Sequence, residues 1–253
     1  MLIDVNTSLG HWPFMRFEQD TAGKLADHLA SAGVDRALVS ATEAALFPDP
    51  HIPNGELFAA LVDQAVLMPL PTIDPTLSHW RDCLDTYALL RAPNAARVLP
   101  NYHRYTLDAP CVDDLASALL ERGKAVLVVQ MRLEDERNQY PLMQVPGVPA
   151  DDVLGLARRH PDLAILCLCP YLHEAVQLLN GAPNLHADIA FVELLDTLAT
   201  FVSEVSSDRV FFGSHTPFLY TRANLMKVEQ ATVDTETLAA VTAGNAARLF
   251  GLE

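Results

Sequence analysis

The fold class is decided by the run Ala125-Val126-Leu127-Val128-Val129-Gln130-Met131, in which every residue except Gln130 is apolar. A strand with one face in water alternates apolar and polar residues, and this run does not alternate. Continuous apolar character is typical of a strand that is buried on both faces. Such strands occur in parallel sheets that helices cover on both sides.

Seven further runs share this character, and amphipathic helical windows separate them. The eight predicted strands cover residues 2–6, 36–40, 66–71, 96–101, 125–131, 163–169, 185–190 and 210–214. Helices are predicted at 22–32, 54–63, 77–90, 113–122, 150–160, 171–179, 193–205 and 235–249. This alternation predicts a parallel sheet. Eight βα repeats in 253 residues predict an α/β fold, a (β/α)8 TIM barrel, as a single domain over residues 1–253. A doubly wound open sheet is the alternative, which is weakened because no strand is followed by a glycine-rich phosphate loop.

The charge, the apolar runs and the cysteine count together exclude several classes of protein. The chain has 17 Lys and Arg against 32 Asp and Glu, a net charge of −15, which disfavours nucleic-acid binding. No apolar run approaches the roughly 20 residues of a membrane-spanning helix. Four scattered cysteines do not suggest a disulfide framework, and the N-terminal residues lack the pattern of a signal peptide. We therefore expect a cytoplasmic protein whose partner is a small molecule. The oligomeric state stays open, a homo-oligomer included.

Polar residues collect at the predicted strand ends, where TIM barrels place their catalytic groups. A histidine with a pKa near 7 serves as acid or base, which makes His103 and His215 candidate catalytic residues, together with Glu134 and Asp135. The remaining polar groups are candidates for substrate binding. They are Asn6, His11, Asn101, Tyr102, Gln130, Arg132 and Arg137.

The segment 130–137 concentrates charge in a chain that is otherwise poor in it. Arg132 and Arg137 are suited to bidentate hydrogen bonds with a substrate carboxylate. The alternative is an ion-pair network in which these arginines hold Glu134 and Asp135 and so fix the long loop that follows.

Four segments resemble the amidohydrolase superfamily in its amidohydrolase-related branch. They are IDVNTSLG at 3–10, HPDLAIL at 160–166, FFGSHTPF at 211–218 and GNAARLF at 244–250. The resemblance implies a TIM barrel that hydrolyses or decarboxylates a small molecule. The motif Asn101-Tyr102-His103 is similar to one found in metal-poor members of that branch, as is the segment 131–137.

The metal ligands that the resemblance implies are replaced. The His-x-His pair of the first strand is Asn6 and Ser8 here, the histidine ending strand six is Cys169, and the aspartate of the last strand is His215. Neutral Asn and Ser are poor zinc ligands, so we expect a site without a metal cofactor. A zinc site rebuilt from His103, Cys169 and His215 is the alternative.

Three functions stay open at this stage. The first is an enzyme, a hydrolase or a decarboxylase, that acts on a small carboxylate-bearing molecule at an altered, metal-free site. Nothing then lowers the pKa of an attacking water, which weakens the case for hydrolysis. The second is a non-catalytic barrel that binds a ligand or serves in an assembly. The third is a conventional metal-dependent hydrolase.

Overall fold

A computed structural model describes residues 1–88, 90, 93–123 and 125–252 of the chain. All eight predicted strands are present, each within a few residues of its predicted bounds. They are β1 (Ile3–Leu9), β2 (Arg36–Ala41), β3 (Leu67–Pro69), β4 (Ala95–Val98), β5 (Val126–Gln130), β6 (Ala164–Leu168), β7 (Leu185–Asp188) and β8 (Val210–Phe211).

The strands run parallel and close into a barrel. Hydrogen-bonded neighbours follow the order β1-β2-β3 and β4-β5-β6-β7-β8. Single parallel bridges join the two groups, Thr72 with Arg97 at one seam and Thr7 with Thr216 at the other. The amide of Ser8 donates to the carbonyl of Thr216 at 2.8 Å across the second seam. Because both seams are paired, the predicted TIM barrel is confirmed and the open-sheet alternative is wrong.

Helices surround the barrel. They are α1 (Ala22–Ser31), α2 (His51–Ala60), α3 (Trp80–Ala88), α4 (Pro100–His103), α5 (Pro110–Glu121), α6 (Ala150–Arg159), α7 (Leu172–Gly181), α8 (Thr197–Glu204), α9 (Thr221–Glu229), α10 (Thr235–Ala239) and α11 (Asn245–Phe250). The prediction at 77–90 ends partly outside the described residues. Residues 235–249 form a helix that a π-helical turn at Ala240–Gly244 interrupts. Among the described residues, no helix has the length and apolar character needed to cross a membrane.

Two helices were not predicted. Helix α4 replaces the end of the fourth predicted strand, because Pro100 occupies the first helical turn, where its missing N–H costs nothing. Helix α9 buries polar residues, Thr221 and Asn224, against the end of β8, so its sequence lacks an apolar stripe.

The apolar interior has two parts, one inside the barrel and one between the strands and the helices. Successive side chains of a strand point alternately into one part and the other. Val126 and Val128 of β5 pack inside the barrel with Leu166 of β6, whereas Leu127 and Val129 pack against the surrounding helices. This explains the continuous apolar runs, since both faces of each strand are covered.

We expect Leu166→Ala to lower the free energy of unfolding by about 2–5 kcal/mol, because Leu166 is fully buried in the barrel interior and the change leaves a cavity. Urea denaturation measures it. Leu195→Ala, at a side chain that is 95% exposed, is the matched control, with an expected change within about 0.5 kcal/mol. Equal effects of the two changes would contradict this packing.

Candidate functional site

The side-chain amide of Asn6 joins three other strand ends at the carboxyl end of the barrel. Its Nδ2 donates to Oδ2 of Asp188 at 2.6 Å and lies 3.1 Å from Sγ of Cys169. Its Oδ1 lies 3.1 Å from Nδ1 of His215. The register of β1 against β2 shifts between Asp4 and Thr7, so an irregularity in β1 accompanies the placement of Asn6. We name the group Asn6, Cys169, Asp188 and His215 the amide cluster.

His215 is a fully buried member of the amide cluster. Its Nε2 lies 2.6 Å from the carbonyl oxygen of Leu133, and its ring stacks on Phe218 with centroids 4.9 Å apart. Burial lowers the pKa of His215 to about 4, so the imidazole is neutral at pH 7. Both His215 and Cys169 have left-handed backbone conformations, with φ of 55° and 59°. Such conformations are strained in residues other than glycine and are common at functional sites.

The amide cluster contains one buried carboxyl group, Asp188, and lies beside a second, Asp4, which accepts a hydrogen bond from the backbone amide of Asn6. Burial raises the pKa of Asp188 to about 6 and that of Asp4 to about 7. Asp188 also accepts a hydrogen bond from the amide of Cys169, at 2.8 Å. Gly213 makes this packing possible, because a Cβ there would lie 2.5 Å from Oδ2 of Asp188.

An apolar layer covers the polar residues. Leu133 and Phe218 pack together with Trp12, Phe17 and Leu99. Above this layer lies a cavity of about 440 Å³, which we name the mouth cavity. Its walls include the aromatic side chains Phe14, Tyr140, Phe191 and Phe218 and the acidic residues Glu134 and Asp135. Leu133 and Phe218 therefore separate the mouth cavity from the amide cluster.

Arg132 is buried and already paired. Its two terminal nitrogens each lie 2.7 Å from a carboxylate oxygen of Glu174, and Nη1 also donates to the carbonyl of Cys169 at 2.7 Å. The guanidinium lies over the ring of Tyr171, 4.0 Å from its centroid. Since a bidentate ion pair and stacking occupy this side chain, the geometry favours the ion-pair network over a substrate anchor.

The other charged residues of the loop differ in exposure. The Arg137 side chain is 75% exposed and forms a bidentate pair with Asp135, which lowers the pKa of Asp135 to about 2. Glu134 is half-buried in the wall of the mouth cavity, and burial raises the pKa of its carboxyl. Of the two predicted carboxylates, Glu134 is therefore the one suited to proton transfer.

The structure spreads the remaining predicted residues around the rim and the interior. His11 is exposed, and Nδ2 of Asn101 donates to the carbonyl of Pro146. The ring of Tyr102 packs edge-on against Trp12. Gln130 is buried, and its Nε2 lies 3.5 Å from Sγ of Cys169. These four do not converge on one point.

His103 lies apart from the amide cluster. Its Nε2 is 2.8 Å from the carbonyl oxygen of Ala44, and its Nδ1 is 3.9 Å from Oδ2 of Asp74. Burial lowers the pKa of His103. It therefore packs at the ends of β2 to β4, whereas His215 follows β8 and contacts Asn6 on β1 and Leu133 after β5.

The residues present do not fit a divalent metal. Across the described part of the chain, no three His, Cys, Asp or Glu side chains form a group that could hold one. His103 is occupied elsewhere, so the rebuilt site of His103, Cys169 and His215 is not assembled.

Arg97 is a site residue that sequence reasoning missed. It lies on β4, is 2% exposed and points into the barrel, where Nε donates to Oγ1 of Thr72 and Nη2 to the carbonyl of Ala41. The signal in the sequence was a single charge inside an apolar strand.

The fold and this site define a TIM barrel with a polar cluster at the carboxyl ends of its strands. It is similar to 5-carboxyvanillate decarboxylase from Sphingomonas paucimobilis, at 17% identity and a TM-score of 0.78, over 100% of this chain and 99% of that one. A 2,6-dihydroxybenzoate decarboxylase from Rhizobium matches with 12% identity and a TM-score of 0.71, over 99% and 98%. A dihydroxybenzoic acid decarboxylase from a Polaromonas species, with bound manganese and 2-nitroresorcinol, matches with 14% identity and a TM-score of 0.71, over 99% and 97%. No protein-family model and no curated protein sequence matches the chain.

We expect Asp188→Asn to change how stability depends on pH. The raised pKa means that folded Asp188 holds a proton which the unfolded chain releases above about pH 4, so its contribution to stability falls as pH rises from about 4 to 6. The unfolding free energy of the variant relative to the wild type should therefore rise by about 2–3 kcal/mol over that range. Urea denaturation at several pH values measures the difference, and a difference independent of pH would contradict it.

We expect Arg132→Met to cost about 3–5 kcal/mol of stability, because it leaves the largely buried Glu174 without its partner. Adding Glu174→Gln should recover part of that loss. A double-mutant cycle by urea denaturation measures the coupling, with the exposed Arg137→Met as control. A cost below about 1 kcal/mol would contradict the ion-pair role.

Proposed function

We propose that this protein is an amidohydrolase-related enzyme that removes carbon dioxide from a small aromatic carboxylate in the mouth cavity, without a metal ion. One observation carries the proposal: the half-buried carboxyl of Glu134, with its raised pKa, faces an aromatic-walled cavity at the catalytic end of a TIM barrel. Several structural neighbours support the substrate class, since they are decarboxylases named for aromatic carboxylates and have the same fold.

The chemistry of decarboxylation suits this cavity better than hydrolysis does. Hydrolysis needs an activated water, and the described residues form no cluster of three metal ligands that would hold an ion to lower the pKa of that water. Decarboxylation of an aromatic acid needs a proton at the ring carbon that bears the carboxylate. We infer that Glu134 donates this proton. The carbon–carbon bond then breaks, its electrons restore the aromatic ring and carbon dioxide leaves. Glu134 takes a proton back from solvent.

The charged loop residues hold Glu134 in place under this proposal. Arg132 pairs with Glu174 at the start of α7, and Arg137 pairs with Asp135 beside Glu134. Both ring nitrogens of His215 face oxygen acceptors, Oδ1 of Asn6 and the carbonyl of Leu133, and the neutral imidazole has one N–H to donate to one of them. We therefore assign His215 to positioning the loop rather than to proton transfer.

A second candidate function, a non-catalytic ligand-binding barrel, is favoured by one observation. The amide cluster is sealed beneath Leu133 and Phe218, and its members bond mainly to one another. In this alternative the mouth cavity binds a small aromatic molecule and releases it unchanged.

The test is carbon dioxide release from a panel of mono- and dihydroxybenzoates, with the chelator EDTA or with added Mn²⁺. We expect release that EDTA does not abolish. Glu134→Gln should lower kcat by about 10²–10⁴-fold, because the amide cannot donate the proton. Glu204→Gln, at an exposed helical residue, is the matched control.

Each outcome has a distinct meaning. Activity that requires Mn²⁺, or that survives Glu134→Gln, would contradict the proposal. Binding of hydroxybenzoates without release of carbon dioxide would favour the non-catalytic barrel.

A further inference from the structure

Arg97 is a buried cation without a carboxylate partner among the described residues. Arg132, the other buried arginine, has Glu174. The hydrogen bonds of Arg97 go to a neutral hydroxyl, Oγ1 of Thr72 at 3.0 Å, and to the carbonyl of Ala41 at 2.9 Å. A guanidinium taken out of water without a counter-ion costs several kcal/mol, so an isolated one requires an explanation.

The pKa of Arg97 also indicates that no negative charge lies close to its guanidinium among the described residues. Burial lowers the pKa of this arginine to about 9, and the one neighbouring group that favours its charge is Cys169, whose own pKa is raised well above the usual value. Its charge in turn lowers the pKa of His103 and of His215. Arg97 is therefore close enough to both histidines for its charge to add to the effect of burial on their pKa values.

Unpaired polar atoms occur on three residues near the groups that Arg97 contacts or influences. Among the described residues, buried atoms without a hydrogen-bond partner include Oγ1 of Thr42, which follows Ala41, Nδ1 of His103, and Oε1 of Gln130, whose Nε2 lies 3.5 Å from Sγ of Cys169. Buried polar atoms are nearly always paired with protein or water, so these three are consistent with a polar molecule bound beside Arg97. The hydrogen bonds of Arg97 also use only Nε and Nη2, which leaves Nη1 for a ligand.

We propose that Arg97 and the polar atoms around it form an anion subsite inside the barrel mouth, which takes the carboxylate of a small organic acid. The guanidinium supplies the positive charge there, and its hydrogen bonds to Thr72 and to the carbonyl of Ala41 hold it in place. Leu133 lies between this subsite and the mouth cavity, so the ligand enters when that loop residue moves. The subsite does not depend on decarboxylation, because a barrel that only binds needs the same charge.

The experiment uses the full chain and two probes of one shape, benzoate and the neutral benzamide. Calorimetric titration gives the affinity for each. Charge-assisted hydrogen bonds contribute about 1.5–3 kcal/mol, so we expect benzoate to bind at least tenfold more tightly than benzamide. Arg97→Met should remove that preference. Arg158→Met, which removes an exposed arginine of helix α6 away from the mouth cavity, should keep it.

A second variant keeps the test valid if Arg97→Met does not fold. Arg97→Lys keeps a positive charge but loses the planar fork, so it should retain a weakened preference for benzoate. If the folded Arg97→Met variant keeps the preference for benzoate unchanged, the subsite is overturned. If that variant does not fold, equal affinities of the wild type for benzoate and benzamide overturn it. Benzoate binding without carbon dioxide release from any hydroxybenzoate would count against the decarboxylase alone. Release without any preference for the anion would count against the subsite alone.

Discussion

The side-chain amide of Asn6 is the contact on which the rest of the site depends. One planar group links β1 to the aspartate of β7, the cysteine that follows β6 and the histidine that follows β8. An amide offers donors and acceptors without a charge, so it can sit between a carboxyl and an imidazole in a dry interior. Gly213 lets these groups approach, and His215 extends the chain of contacts to the carbonyl of Leu133. The position of the β5 loop, and with it that of Glu134, follows from this connection.

Charge is distributed differently inside and outside this barrel. The net charge of −15 resides largely on surface carboxylates, which favour solubility. In the mouth, burial raises the pKa of the carboxyl groups of Asp4 and Asp188, and the isolated guanidinium of Arg97 adds a positive charge. An acidic protein therefore keeps a barrel interior that is suited to an anion. Net charge alone does not reveal this, because it counts every ionisable group as if it were in water.

The strands were predictable and parts of the site were not. Burial on both faces leaves continuous apolar runs, which the sequence displays directly, and the strand ends followed from the barrel geometry. Helix α9 escaped prediction because only part of its buried face is apolar. Beside Leu225 and Val228, that face carries Thr221 and Asn224, which bond to polar groups of the segment after β8. The sequence also left open whether Arg132 binds a substrate carboxylate or forms an ion pair within the protein. Its partner Glu174 lies 42 residues further along the chain, and no local pattern connects the two.

By itself, the sequence determined the barrel and the set of polar residues at the strand ends. Those conclusions need only periodicity, order along the chain and the chemistry of each residue type. Tertiary structure alone decided that Asn6 bridges Asp188 and His215 and that Arg132 pairs with Glu174. It also decided that His103 lies apart from the amide cluster and that Arg97 has no counter-ion among the described residues. These depend on distances of a few ångströms between residues far apart in the chain, and on the low dielectric of the interior, which sets the cost of each buried charge.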